Sequence, residues 1–165
     1  MHPQAYAYVA HWARRLGPRA FVLEVGSRNV NGSARDLFPG AEYLGIDIAP
    51  GPGVDVVADG AAFTPAVAPD LVVTTEVLEH SPQAEAIIQN AHRILSPGGM
   101  LILTTAWTGR APHSAVDGGR LREGEWYANI SAFDLVRWLR PFLDWQIATD
   151  GVARDIRAIA RKGAL

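Results

Sequence analysis

The sequence predicts an α/β fold built on a doubly wound, mostly parallel sheet, and three observations carry that expectation. Residues 21–32 read F-V-L-E-V-G-S-R-N-V-N-G, a short apolar run rich in strand formers that enters a glycine turn. A run too short for a helix suits a central strand covered on both faces. Similar runs then alternate along the chain with segments whose apolar residues recur at helical spacing, the pattern of layered α/β domains. Finally, acids stand where such runs end, with Asp47 after E-Y-L-G-I and Glu76 after L-V-V-T-T.

Taken in order, Ala5, Tyr8, Val9, Trp12 and Leu16 form one face of a leading amphipathic helix closed by Gly17-Pro18, and its His2 and His11 are expected to be solvated. The first strand follows. Ser33 to Asp36 gives an S-x-x-D start to a short helix that Pro39-Gly40 ends. Residues 42–47 form a second strand and residues 54–57 a third, placed at a sheet edge because Asp55 interrupts it. Residues 71–73 are a fourth strand. Ser81 and Pro82 are expected to cap a helix lined by Ala84, Ile87, Ile88, Ala91, Ile94 and Leu95, and 100–105 is a fifth strand. His92 reads as a surface residue of that helix. Residues 107–129 show no period yet hold Arg110, His113, Asp117, Arg120, Trp126, Tyr127 and Asn129, which suggests a functional connection over the site. Ser131-x-x-Asp134 opens a helix through Leu139. Segments 143–148 and 156–161 read as strands joined around Asp150-Gly151.

Composition limits the possibilities. The chain has 165 residues, enough to bury a core as one domain, 1–165, without staples. With 48% apolar and 19% charged residues it reads as globular. Fifteen basic against seventeen acidic residues, net charge −2, leave no electrostatic footprint for gripping nucleic acid. The absence of cysteine excludes disulfides and thiolate metal sites and fits a cytoplasmic protein. No signal pattern or membrane-length apolar run is read, so no membrane partner is expected.

Strand, glycine turn and helix amino terminus together point to a nucleotide site. The dinucleotide fingerprint G-x-G-x-x-G fails, because Arg28 stands two after Gly26, and no Gly-Lys-Ser or Gly-Lys-Thr follows for a phosphate loop. Glu24 would be costly in a core unless it meets backbone donors or a polar ligand. Asp47, about twenty residues beyond the turn, stands where a ribose ligand is needed, or else starts the turn at 48–53.

The E-V-G turn with its later Gly32, the stretch D-L-V-V-T-T-E-V-L-E-H-S-P at 70–82, and the L-S-P-G-G-M-L-I-L turn resemble the motifs of class I S-adenosylmethionine-dependent methyltransferases. The resemblance spans nearly the whole chain. It implies a seven-stranded, Rossmann-like sheet ending in an antiparallel hairpin, with S-adenosyl-L-methionine as cofactor. It assigns cofactor contacts to Glu24, Gly26, Ser27, Arg28, Asp47, Ile48, Asp59, Gly60, Ala61 and Glu76. Asp59 and the amides after it would frame the adenine, although an ordinary Asp-Gly turn reads equally from the residues.

A small-molecule acceptor is expected. Cytosine-5 methylation by the usual route needs a cysteine, and amino-methylating nucleic-acid enzymes show N/D-P-P-Y where this chain has Thr75-Glu76-Val77-Leu78. If the acceptor loses a proton, His113 and His80 are the candidate bases, with Glu76, Asp117, Tyr127 or no base as alternatives. No metal ligands are assigned. A non-catalytic nucleotide-binding module and a nicotinamide-dependent oxidoreductase stand as rival readings.

Overall fold

The computed structural model describes residues 2–164. Seven strands, β1 Phe21–Val25, β2 Glu42–Asp47, β3 Val56–Val57, β4 Leu71–Thr75, β5 Met100–Ala106, β6 Asp144–Asp150 and β7 Asp155–Arg161, form one sheet. Their order is β3-β2-β1-β4-β5-β7-β6. All neighbours from β3 to β5 run parallel, whereas β7 is antiparallel to both β5 and β6. The chain therefore winds outward from β1 in both directions, and the strand order reverses between β1 and β4. In open α/β sheets, the crevice beyond the carboxyl ends at that reversal is where ligands bind.

Successive residues of each buried strand serve opposite faces, which explains why the runs are apolar throughout rather than alternating. Val22, Leu71, Val73, Ile102 and Ile159 pack with Val9 and Phe38 under helix α1, Pro3–Leu16. Leu23, Val72, Leu101 and Leu103 pack with Ile88 and Leu135 under helices α2, Ala84–Ile94, and α3, Ala132–Leu139. Pro3 begins α1 at a position where the missing N–H costs nothing, and Gly17, at φ 71°, ends it. Ser131 caps α3 by accepting from Asp134 N at 3.1 Å. Among the described residues no helix is long and apolar enough to cross a membrane.

Four local expectations change. The helix after the glycine turn is a single 3-10 turn, Arg35–Leu37, although Ser33 Oγ does accept from Arg35 N at 3.1 Å. The edge strand β3 is two residues long because the Asp55 carboxylate accepts from Gly45 N at 2.7 Å, taking a β2 donor through its side chain. Ser81 does not cap α2. Its hydroxyl accepts from Gln83 N in the preceding turn, and Gln83 itself occupies the cap without a side-chain bond. His2 is not simply solvated, for its ring reaches the crevice described next; His92 stays partly exposed, its ring 4.8 Å from that of Phe142.

Candidate active site

A cavity of about 830 Å³ opens at the carboxyl ends of β1, β2 and β4. The turn after β1 forms its floor. Gly26 and Ser27 both donate their amides to Ile46 O, at 2.8 and 3.0 Å, so the turn is tied to β2. Gly26 has φ 79°, and a Cβ there would come within 2.0 Å of Val77 Cγ2. Only glycine satisfies both constraints. Gly60 is similarly confined, since a Cβ would meet Val25 Cγ1 at 2.4 Å. These two glycines let the main chain itself form the cavity wall.

The acids at the strand ends are held in place by backbone amides. Asp47 accepts from Arg28 N at 3.2 Å and from Ala49 N at 3.1 Å, one bond to each carboxylate oxygen. Asp59 accepts from Ala61 N at 2.8 Å and from Gln83 Nε2 at 3.1 Å, so it does form the Asp-Gly turn while bordering the cavity. Buried Asn90 fixes that turn from α2 by donating to the carbonyls of Gly60 and Phe63, both at 2.8 Å. Glu24 is buried and accepts from the Tyr43 hydroxyl at 2.9 Å. Burial raises its pKa, opposed by that hydroxyl, the Ala34 amide and Arg35.

Of the residues expected at the cofactor, Glu24, Gly26, Ser27, Arg28, Asp47, Ile48, Asp59, Gly60 and Glu76 line this one cavity. Ala61 does not. Its side chain turns into the core under α2, and it contributes only an amide to Asp59.

Glu76 sits at the junction between this space and the rest of the crevice, with φ 56°, a left-handed conformation rare outside glycine. Strain of this kind persists where surrounding bonds over-determine it, typically at functional sites. Here Glu76 N donates to Thr104 O at 2.9 Å, and Thr104 Oγ1 donates to Glu76 Oε1 at 3.0 Å. Arg110 reaches in from the long connection, its guanidinium 3.2 Å from Glu76 Oε2 without hydrogen-bond alignment, and also pairs with wholly buried Asp155 and with His2. Burial, then the Asp155 charge, raise the Glu76 pKa against the attraction of Arg110.

Beyond Glu76 lies a cluster of rings. His80 and His113 meet edge to face with centroids 4.9 Å apart, and Tyr127 packs on both, at 5.3 and 5.0 Å. The sequence thus places its two candidate bases side by side although thirty-three positions separate them, and both line the cavity. Desolvation, then His113, lower the His80 pKa to about 4, so its imidazole is neutral near pH 7. Asp117 stands apart, exposed and paired with Arg122. The connection 107–129 contributes Arg110, His113, Ser114, Val116, Glu125 and Trp126 to the cavity wall.

Sequence reasoning missed Glu79. It is wholly buried, accepts from Thr105 Oγ1 at 2.7 Å and Ala106 N at 3.2 Å, and burial, then Glu76, push its pKa up to about 8. An acid within V-L-E-H, after an apolar pair, was the available signal. Asp155 and His2 carried none, since their partner Arg110 lies far away in the chain.

The model of a family described as a methyltransferase domain matches residues 4–149. No curated protein matches in sequence. Among solved structures, 1,6-didemethyltoxoflavin-N1-methyltransferase of Burkholderia thailandensis, with bound 1,6-didemethyltoxoflavin and S-adenosylhomocysteine, is similar at TM-score 0.69 and 18% identity, over 96% of this chain and 78% of that one. N-methyltransferase NodS of Bradyrhizobium japonicum, in complex with S-adenosylhomocysteine, gives 0.66 and 19%, over 96% and 86%. An S-adenosylmethionine-bound amino pentose methyltransferase of Micromonospora echinaspora gives 0.66 and 18%, over 96% and 91%. At these identities the structural likeness speaks for the fold.

Proposed function

The chain belongs to the methyltransferase-domain family, and from that premise we propose that it methylates a small-molecule acceptor held beneath residues 107–129. It is an S-adenosylmethionine-dependent methyltransferase. The observation that carries the acceptor reading is the cavity itself, which continues from the glycine floor past Glu76 to the His80–His113 pair. At about 830 Å³ it has the size of a small-molecule site rather than an open groove for a polymer.

The residues present fit the cofactor. The β1 turn admits no side chain at Gly26, Asp47 keeps unused lone pairs at the end of β2 for vicinal hydroxyls, and Gly60 leaves main chain facing a planar ring. Exposed Ile48 offers an apolar surface beside Asp47. Glu24 on β1 and Ser27 in the turn after it complete the set. S-adenosylmethionine supplies a methyl group already activated on its sulfonium. The protein's task is then to align the acceptor, exclude water and, for a protic acceptor, receive or stabilise a proton. We assign that last role to neutral His80 and neighbouring His113 on the acceptor side, with Arg110 keeping Glu76 paired at the junction.

Calorimetry with S-adenosylhomocysteine, together with labelled-methyl transfer to a panel of small hydroxyl, amine and carbon acceptors, tests the reading. One-to-one binding and label in a small molecule are expected. Binding without transfer to any acceptor would favour a non-catalytic module, and an NADH fluorescence response without S-adenosylhomocysteine binding would favour an oxidoreductase.

A further inference from the structure

Glu79, His80 and His113 each offer one ligand atom, and these atoms lie within 4.8 Å of one another. Two polar atoms among these rings are buried without a partner, His80 Nδ1 and the Tyr127 hydroxyl. Buried polar atoms are normally bonded, so each orphan calls for an explanation such as an ion. The other contacts of the three residues orient them without consuming their donors. His113 Nδ1 lies 3.2 Å from Ala111 O, which fixes a tautomer with a free Nε2 lone pair. Thr105 and the Ala106 amide hold the Glu79 carboxylate, whose oxygens retain further lone pairs. The Thr105 hydroxyl behind Glu79 and the Ala111 carbonyl behind His113 are the kind of support usual at a metal site.

We propose that Glu79, His80 and His113 bind a divalent cation of the first transition row, zinc being representative. Two imidazoles and one carboxylate, with no thiolate, suit zinc, iron(II), cobalt(II) or nickel(II) rather than magnesium or calcium. Bonds of about 2.1 Å in a tetrahedron place donors about 3.4 Å apart. The widest pair therefore closes by at most about 1.4 Å, and His113 is the member carried by the long connection rather than by the segment just after β4. Glu79 lies behind the ring cluster while both histidines line the cavity, so a position left open by three protein ligands faces the acceptor space. Placing the metal beside an acceptor rests on the methyltransferase reading; metal binding itself does not. A bound cation takes up the imidazole lone pairs and replaces a histidine base with a Lewis acid that ionises an acceptor hydroxyl, its proton passing to solvent.

Cobalt(II) titration followed by visible d–d absorption, with zinc competition and parallel calorimetry with S-adenosylhomocysteine, tests the site. The expected result is one cobalt per chain, displaced by zinc. His80→Ala and His113→Ala should each weaken metal binding by more than roughly tenfold. His11→Ala/His92→Ala should leave it unchanged. Glu79→Gln can fail through misfolding, so the histidine variants decide. Retained S-adenosylhomocysteine affinity in His113→Ala shows that lost metal binding is not lost fold. No cobalt binding, or binding undiminished in a His80→Ala/His113→Ala double variant, overturns the metal site. Cobalt binding without S-adenosylhomocysteine binding would overturn the methyltransferase reading and leave this one standing.

Discussion

Val77 Cγ2 stands 2.0 Å from where a Cβ on Gly26 would be. The residue that follows strained Glu76 thus fixes the residue type at the floor of the β1 turn, and two positions fifty-one residues apart constrain each other through one van der Waals contact. Gly26→Ala should cost about 1–3 kcal/mol in backbone strain at φ 79° and a comparable amount in overpacking. Urea denaturation measures the loss. A variant as stable as wild type would show that the turn can swing clear of Val77.

Asp47→Ala tests the ribose contact. Its carboxylate already holds the Arg28 and Ala49 amides, so truncation both removes the acceptor for the hydroxyls and loosens the turn. Loss of hydrogen bonds to a charged group should weaken S-adenosylhomocysteine by about 1.5–3 kcal/mol, read by calorimetry. Unchanged affinity with the fold intact would remove Asp47 from the site.

The sheet was legible because burial on both faces writes central strands as unbroken apolar runs, and β1, β4 and β5 stand within a residue or two of their expected limits. The Ser131 cap was legible for a local reason too, since its partner Asp134 N is three residues away. The Ser81 cap failed locally, its hydroxyl being taken by Gln83 N two residues on, whereas other failures depended on distant side chains. Asp55 shortens β3 by occupying Gly45 N, and nothing in V-D-V-V reveals that substitution of side chain for main chain. At the site, residues at strand ends could be placed from position alone. The Arg110 network could not, because His2, Glu76 and Asp155 come from distant parts of the chain and meet where β7 lies beside β5.

Arg110→Ala should reveal what that network contributes. Its side chain is 12% exposed and pairs with Asp155, which is 0% exposed, while Arg157 stays 3.2 Å from the other Asp155 oxygen. Breaking a buried pair costs about 3–5 kcal/mol, and the remaining Arg157 contact puts the loss at the low end. Chemical denaturation should show the drop together with faster proteolysis between residues 107 and 129. Full stability would mean that Arg157 alone satisfies Asp155.

Glu24 should couple proton binding to both stability and cofactor affinity, with opposite signs. Burial raises its folded pKa above the ordinary glutamate value, against the Tyr43, Ala34 and Arg35 contacts. The native state therefore takes up a proton more readily than the unfolded chain does. Its contribution to stability is fully present below the unfolded pKa, about 4.3, and is lost as pH rises through the higher folded value. Cofactor binding runs the other way. A buried carboxylate lining the cavity is a fitting partner for the α-ammonium of S-adenosylhomocysteine only when ionised, so affinity should fall as pH drops through that same folded pKa. Glu24→Gln keeps the size and the bond to Tyr43 while removing the titration. At neutral pH it should melt at or above the wild-type temperature yet bind S-adenosylhomocysteine about 1.5–3 kcal/mol more weakly. Its affinity should also lose the limb that falls as pH drops through the folded pKa. Calorimetry across that limb, paired with thermal melts, separates the two effects. An affinity profile identical to wild type would show that Glu24 serves only to anchor Tyr43 beneath the β1 turn.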